Sequence, residues 1–215
     1  MSGVLVTGTG TEVGKTVVSC VLAHTALEAG VRVSVFKPAV SGIDGSAKPD
    51  HERLRHAAGS IQADDEIAPY RYGPAVSPHL AAEMAGNPVD PVRLRAGLDA
   101  ARADGDFLVC EGVGGFLVPL CPDYLIRDFA IDAGLPVVVV ASPGLGTINH
   151  TLLTVEAARA ARLVVAAVVM TPWPPSPTAM EESNRMTIER LGKVQVQTIG
   201  VVDPDDPLTW PALSV

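Results

Sequence analysis

The sequence predicts a three-layer α/β fold on a mostly parallel central sheet, and three observations carry that reading. Short runs such as 136–141 and 164–170 are apolar at consecutive positions rather than alternating, as in strands covered on both faces. Longer helical stretches separate these runs, the pattern of strand–helix–strand crossovers. No internal repeat or linker divides the 215 residues, which suffice for one buried core, so a single domain over 1–215 is expected.

The first strand covers 4–7 and enters a Gly/Thr turn, followed by a helix from about 14 to 29 with Gly30 as its left-handed stop. A second strand over 31–36 ends at Lys37-Pro38. A loop rich in Gly, Ser and Pro covers 41–49, and Asp50 is placed to cap a short helix reaching about 58. Residues 60–78, with prolines at 69, 74 and 78, read as irregular, and Asp64-Asp65-Glu66 as a solvated face. Helices follow over 79–85 and 91–103. The run 107–110 is a buried strand leading into Glu111-Gly112. Strands over 136–141 and 164–170 flank a helix over about 149–161. The last helix covers 178–191 and the last strand 196–202.

Charge and hydropathy exclude several classes of function. Lys and Arg number 16 against 24 Asp and Glu, a formal charge of −8. That balance suits neither a nucleic-acid backbone nor an anionic membrane surface. The longest apolar runs, 135–141 and 163–170, reach eight residues at most, against the roughly 20 that a membrane helix needs. The first residues show no basic region or cleavage site. Cys20, Cys110 and Cys121 are odd in number and scattered, so reduced thiols in a cytoplasmic protein are expected.

The sharpest signal is Val4-Leu-Val-Thr-Gly-Thr-Gly-Thr-Glu-Val-Gly-Lys-Thr16, a strand entering a glycine-rich turn that closes with Gly14-Lys15-Thr16 at a helix start. Successive backbone N–H groups and the positive helix end surround phosphate oxygens in such a loop. Lys15 would reach the β- and γ-phosphates, and the Thr16 hydroxyl would bind Mg²⁺. The spacing departs from the usual four residues between glycines: Thr9 stands at the expected first position and Gly8 one residue earlier. The convergence of strand, glycines, Lys-Thr pair and helix still points to a P-loop for a nucleoside triphosphate.

In an open parallel sheet, ligands bind beyond the carboxyl ends of the strands. Lys37, Glu111 and Thr171 close three of the predicted strands, and Asp203 follows the last. A second lysine points to a further anion beside the γ-phosphate; the alternative is a surface lysine held by Pro38. Glu111 lies where a P-loop protein keeps the acid of its metal shell, and Gly112, Gly114 and Gly115 permit close backbone approach. For Asp50, helix capping and metal binding stay equally open on local evidence. Trp173, among prolines, suits base stacking and loop packing alike.

These segments resemble the dethiobiotin synthetase family over nearly the whole chain. The matching stretches are Val6-Thr-Gly-Thr-Gly-Thr-Glu-Val-Gly-Lys-Thr16, Lys37-Pro-Ala-Val-Ser-Gly42, Ser77-Pro-His79, Val109-Cys-Glu-Gly-Val-Gly-Gly115, Leu135-Pro136 and Leu145-Gly-Thr-Ile-Asn-His150. The longer phosphate loop is the family's own form. The resemblance implies an ATP-dependent cyclo-ligase of biotin biosynthesis, with ATP as co-substrate and Mg²⁺ as cofactor. It would join CO₂ to 7,8-diaminopelargonic acid through a carbamate and a carbamic–phosphoric anhydride, giving dethiobiotin, ADP and phosphate.

The resemblance also implies roles. Lys37, Lys15 and Thr11 would be catalytic, and Thr16, Asp50 and Glu111 would hold the metal. The nucleotide would lie on Gly10, Thr11, Glu12, Val13, Gly14, Lys15, Thr16 and Val17, with Glu111, Gly114, Thr171, Pro172 and Asp203. Ser41 and Lys37 would hold the diamine. In an implied homodimer the partner's helix start, Leu145, Gly146, Thr147 and Asn149, would bind the substrate carboxylate. Thr171-Pro172-Trp173 stands where the family often has an adenine-reading asparagine, which leaves the preferred base open. A late-helix tyrosine of some members has no counterpart, Asn184 being nearest, and Asp203 to Asp206 would supply a short cover for the base.

Two other classes share parts of the pattern. A P-loop small-molecule kinase would carry an arginine-rich lid, for which Arg93, Arg95 and Arg102 form the densest set. A nucleotide-switched dimeric scaffold ATPase would place an extra lysine early in the loop, where this chain has Gly10 or Thr11.

Overall fold

The computed structural model describes residues 2–45 and 48–215; positions 46 and 47 of the expected 41–49 loop lie outside the described residues. The chain begins β1 (Ser2–Gly8), α1 (Lys15–Glu28), β2 (Val33–Phe36), β3 (Val40–Ser41), α2 (Asp50–Ala57), α3 (Asp64–Ile67), β4 (Arg71–Tyr72), α4 (Pro78–Ala85), α5 (Pro91–Asp104) and β5 (Phe107–Gly115). It continues with β6 (Pro119–Cys121), β7 (Tyr124–Leu125), α6 (Ile126–Ala133), β8 (Val137–Ala141), α7 (Thr147–Ala160), β9 (Val165–Met170), α8 (Ala179–Gly192) and β10 (Val196–Thr198). Six strands form one sheet in the order β10-β9-β8-β1-β5-β2, and every neighbouring pair is parallel.

Alternate residues of each strand serve two cores. Leu5, Leu108, Cys110, Val137 and Val139 face one layer, packed against Leu94 and Leu98 of α5, Phe129 of α6, Val155 of α7 and Ile188 of α8. Val4, Val6, Val35, Val109, Val138 and Val140 face the other, against Val18, Val21 and Leu22 of α1 and Leu54 and Ala57 of α2. Burial on both faces is why these strands read as unbroken apolar runs. The chain steps from β1 to the edge strand β2, returns to insert β5 between them, and then crosses to β8 on the other side of β1. The strand order therefore reverses beside β1, which puts a ligand crevice at its carboxyl end.

Local chemistry sets the helix boundaries. Asp90 Oδ1 accepts from the Val92 N–H at 2.8 Å and Pro91 opens α5. Thr178 and Glu181 form a reciprocal capping box on α8. Gly30 takes the expected left-handed conformation, φ +78°.

Four expectations need correction. The stretch 60–78 is not wholly irregular: it holds α3, where Glu66 Oε2 accepts from the Ala63 N–H at 2.7 Å, and β4, which pairs with β3. The acidic run Asp64 to Glu66 lies on this helix as the solvated face expected, with Asp65 and Glu66 exposed and Asp64 accepting from Arg55. Strand β5 runs on through Glu111 to Gly115 instead of stopping at 110, and the connection after it, where the sequence predicts no element, holds a small antiparallel pair and α6. The last strand stops at Thr198, short of 202. Asp50 is the first residue of α2 and not its cap, since Pro49 occupies the cap and no side chain bonds the free N–H groups. No described helix is long and apolar enough to cross a membrane.

Candidate active site

Between β1 and α1 the chain turns through Glu12 at φ +60° and Gly14 at φ +93°. A Cβ on Gly14 would lie 2.6 Å from Cγ2 of Thr171, so the loop is seated against the end of β9. Gly14 caps α1 without a side-chain bond, which leaves the first N–H groups of the helix for an anion. Lys15 folds back over the loop, donating from Nζ to the Gly10 carbonyl at 2.8 Å. Burial lowers its pKa from the ordinary 10.5, against the opposing pull of Glu111.

The strand register assembles the rest. Phe36 pairs with Cys110, so Lys37 and Glu111 come next on neighbouring strands. Val35 and Val109 face the α1–α2 layer, and the period of two turns Lys37 and Glu111 the same way. There Lys37 Nζ donates to Glu111 Oε1 at 2.5 Å and to Asp50 Oδ2 at 2.6 Å. The Thr16 hydroxyl donates to the same Glu111 oxygen at 2.9 Å. Glu111 is fully buried and Lys37 is 2% exposed. Burial opposes the charge on Lys37, but Glu111 and Asp50 outweigh it and hold the ammonium well above the ordinary lysine range. Partial burial likewise opposes the charge on Asp50, and Lys37 outweighs it, keeping that carboxyl below the ordinary 3.8.

A cavity of about 770 Å³ opens over these groups. It is lined by Thr11, Glu12, Gly14, Lys15, Thr16 and Val17 of the loop and helix start, and by Lys37, Ser41, Asp50, Glu111 and Gly114. Thr16, Asp50 and Glu111 offer only hard oxygen donors, and Glu111 Oε2 is buried without a partner. That set fits a divalent cation of the Mg²⁺ type.

Other expected site residues lie elsewhere. Gly10 meets Lys15 through its carbonyl and Val13 is part of the core. Thr171 packs on the phosphate loop, Pro172 follows it on the surface, and Trp173 is half-buried against the core with its N–H bonded to the Ile199 carbonyl. Asp203 uses its carboxylate within its own turn, accepting from the Asp205 N–H at 2.9 Å. Leu145, Gly146 and Asn149 are exposed, and Thr147 is buried beside Thr151. None of these four lines the cavity of the single chain. Asn184 donates to the Pro143 and Gly144 carbonyls at 2.9 and 3.3 Å, bracing the turn before α7.

Sequence reasoning missed Arg53 and Lys48, which also border the cavity, and gave no role to Ser77-Pro78, which does too; Pro204, inside the expected 203–206 cover, borders it as well. Arg53 was findable: it stands three residues after Asp50 on one helix face. The arginines of α5 are engaged away from the cavity. Arg93 lies over the Tyr70 ring, Arg95 pairs with Asp132, and Arg102 meets Asp99 and the Ala133 carbonyl.

The parallel sheet, the loop and the buried acid of β5 define a P-loop nucleotide-binding protein. Solved structures agree on the fold. The signal recognition particle 54 kDa protein from Aeropyrum pernix superposes with a TM-score of 0.55 at 14% identity, over 95% of this chain and 42% of that one. The kinase domain of the Escherichia coli tyrosine kinase ETK gives 0.51 at 17%, over 83% of this chain and 70% of that one. A family model described as an AAA domain matches residues 2–212. An ATP-dependent dethiobiotin synthetase from Anaeromyxobacter dehalogenans is 41% identical over 89% of this chain and 86% of its own length. One from Bacillus thuringiensis is 38% identical over 91% and 81%. The chain belongs to that AAA-domain family and to the ATP-dependent dethiobiotin synthetases.

Proposed function

We infer that this protein is an ATP-dependent cyclo-ligase of biotin biosynthesis, closing the ureido ring of dethiobiotin from 7,8-diaminopelargonic acid and CO₂. The observation that carries this reading is the pair of buried lysines, Lys15 and Lys37, bordering one cavity with Asp50 and Glu111 between α1, α2 and β5. A phosphate site alone requires one lysine. A second, fixed by two carboxylates, suits a reaction in which a second anion meets the γ-phosphate.

One amine of the diamine and CO₂ give a carbamate and a proton. A carbamate oxygen attacks the γ-phosphorus, the bond to the β-phosphate oxygen breaks, and ADP leaves. The second amine then attacks the carbonyl of the mixed anhydride, phosphate departs, the attacking nitrogen gives up a proton to solvent, and the ring closes. Lys15 and the helix N–H groups hold the phosphates. Lys37 faces the carbamate, and Ser41 and Thr11 border the space beside it. These groups act by positioning two anions and by matching charge that builds between them. Mg²⁺ would be held by Thr16, Asp50 and Glu111 and would neutralise charge on the phosphates when bound.

The reading includes a homodimer. The start of α7 supports it: Leu145, Gly146 and Asn149 are exposed and the Gly146 cap makes no side-chain bond, so the first turn beyond the buried Thr147 suits a carboxylate reaching across from a second subunit. A cytoplasmic setting agrees with three unpaired cysteines.

The test incubates the protein with the diamine, bicarbonate, Mg²⁺ and ATP and follows the cyclic urea by mass spectrometry. Product that depends on all four is expected. ATP turnover indifferent to bicarbonate, with a phosphorylated product, would make the protein a kinase and overturn the reading.

A further inference from the structure

The segment after β10 holds contacts that the reaction above does not use. Residues 203–210 fold on themselves: the Asp203 carbonyl accepts from Trp210 Nε1 at 2.6 Å, and Asp206 Oδ1 accepts from the Leu208 N–H at 3.1 Å. This small arch is fastened at two places. Trp210 meets His24 of α1 edge to face, with ring centroids 5.3 Å apart, and the Leu213 N–H donates to Thr25 Oγ1 at 3.1 Å. At the other fastening, Asp205 takes both prongs of Arg53 of α2, Nε to Oδ1 at 3.2 Å and Nη2 to Oδ2 at 3.0 Å. Lys48 Nζ lies 3.7 Å from the same carboxylate. Pro204, one residue from this clasp, lines the cavity with Lys15, Lys37 and Arg53 itself.

The arch therefore joins the helix that begins with Lys15 and Thr16 to the helix that begins with Asp50. Isolated exposed ion pairs contribute little. This one is bidentate, has a second cation, and keeps the Arg53 side chain 19% exposed, the conditions under which a pair fixes geometry. Hydrogen bonding from Arg53 holds the Asp205 carboxyl below its ordinary range. An arginine reserved for phosphate would keep its donors toward the cavity, whereas two of Arg53's are engaged on Asp205.

We propose that Arg53 is a positioning residue for the nucleotide: through Asp205 it holds the Pro204 arch at the cavity mouth and sets how long a nucleoside triphosphate stays bound. This rests on reading the cavity as a triphosphate site, and the experiment separates the two.

Release of a ribose-labelled fluorescent ATP analogue with Mg²⁺ is followed by stopped flow, alongside steady-state kinetics, for the full chain. The proteins are wild type, Asp205→Asn, Arg53→Gln and the exchanged pair Arg53→Asp with Asp205→Arg, each first checked by thermal melting. Either single change is expected to speed release and raise the nucleotide KM about 3- to 10-fold with kcat within about twofold, and the exchange to restore most of both. Equal release rates in all four overturn the clasp. So does a drop in kcat of about tenfold or more in Arg53→Gln alone, with Asp205→Asn like wild type, which would place Arg53 on the phosphates. Wild-type protein that does not bind the analogue overturns the triphosphate site itself, and the clasp's role with it.

Discussion

Lys37, one residue past the carboxyl end of β2, and Glu111, midway along β5, stand side by side, with 2.5 Å between Nζ and Oε1. Neither is reachable by bulk water, and Asp50 closes the group on its open side at 2.6 Å from the same ammonium. Two carboxylates thus share one lysine, with Thr16 donating into the cluster. Such a cluster costs much to desolvate, and its worth lies in holding the ammonium at one point beside the phosphate loop.

Removal of Lys37 exposes both sides of that balance. Lys37→Ala is expected to reduce turnover about 100-fold or more, as for lost electrostatic stabilisation of a transition state. It should also cost about 3–5 kcal/mol of stability, because Glu111 is left buried and uncompensated. The pair Lys37→Met with Glu111→Gln should recover most of the stability and none of the turnover. Urea unfolding and single-turnover urea formation measure the two separately; wild-type turnover in Lys37→Ala would contradict the assigned role.

Acid should act on the same cluster through Asp50. Its folded pKa lies below the ordinary 3.8, so its charged form is favoured in the native state. The stability it contributes is complete above the unfolded value and disappears as pH falls through the lowered one. Asp50→Asn should therefore flatten the acid limb of the stability curve below about pH 4. Urea midpoints from neutral pH downward would show it, and parallel curves for the two proteins would refute it.

Alkali should act first on Lys15. Burial lowers its pKa below 10.5, while Lys37 is pushed the other way. Rising pH then removes the loop's charge before the cluster's, and nucleotide affinity should fall with a midpoint below 10.5. Stability should move in the opposite sense. The buried ammonium disfavours the folded state at lower pH, and that penalty is relieved as Lys15 loses its proton ahead of the unfolded chain. Titration of nucleotide binding from pH 8 upward, paired with melting curves, tests both signs.

Much of this site could be read before the structure because its parts are local. The phosphate loop is one contiguous motif, and Lys37 and Glu111 each end an apolar run whose period of two fixes which layer they face. What escaped depends on distance along the chain or on weak local signals. Arg53 and Asp205 are 152 residues apart, and nothing in either neighbourhood announces the other. Helix α6 begins after Leu125, a poor cap, and is held by Asp128 reaching back to the Leu125 N–H at 2.8 Å, a pattern that does not stand out among its neighbours. Strands β3 and β4, two residues each, are too short to show a period. Thr171 occupies a strand end, which marks it as a ligand contact by position. Only the packing shows its methyl group against Gly14.

That packing supplies a further prediction. Gly14 sits at φ +93°, where an L side chain is strained, and an added Cβ would stand 2.6 Å from Thr171 Cγ2. Thr171 cannot readily yield, because its N–H is bonded to the Ala141 carbonyl at 3.0 Å and its side chain is buried. Gly14→Ala should therefore cost about 1–3 kcal/mol in backbone strain and displace the loop from its phosphate-binding shape. Thr171→Ser removes only the methyl group in the way. Combined with Gly14→Ala, it should return the part of the loss due to contact and leave the part due to φ. Melting temperatures and nucleotide Kd for the two single variants and the pair separate these contributions. A Gly14→Ala protein that binds nucleotide as wild type does would show that the loop is not seated on Thr171.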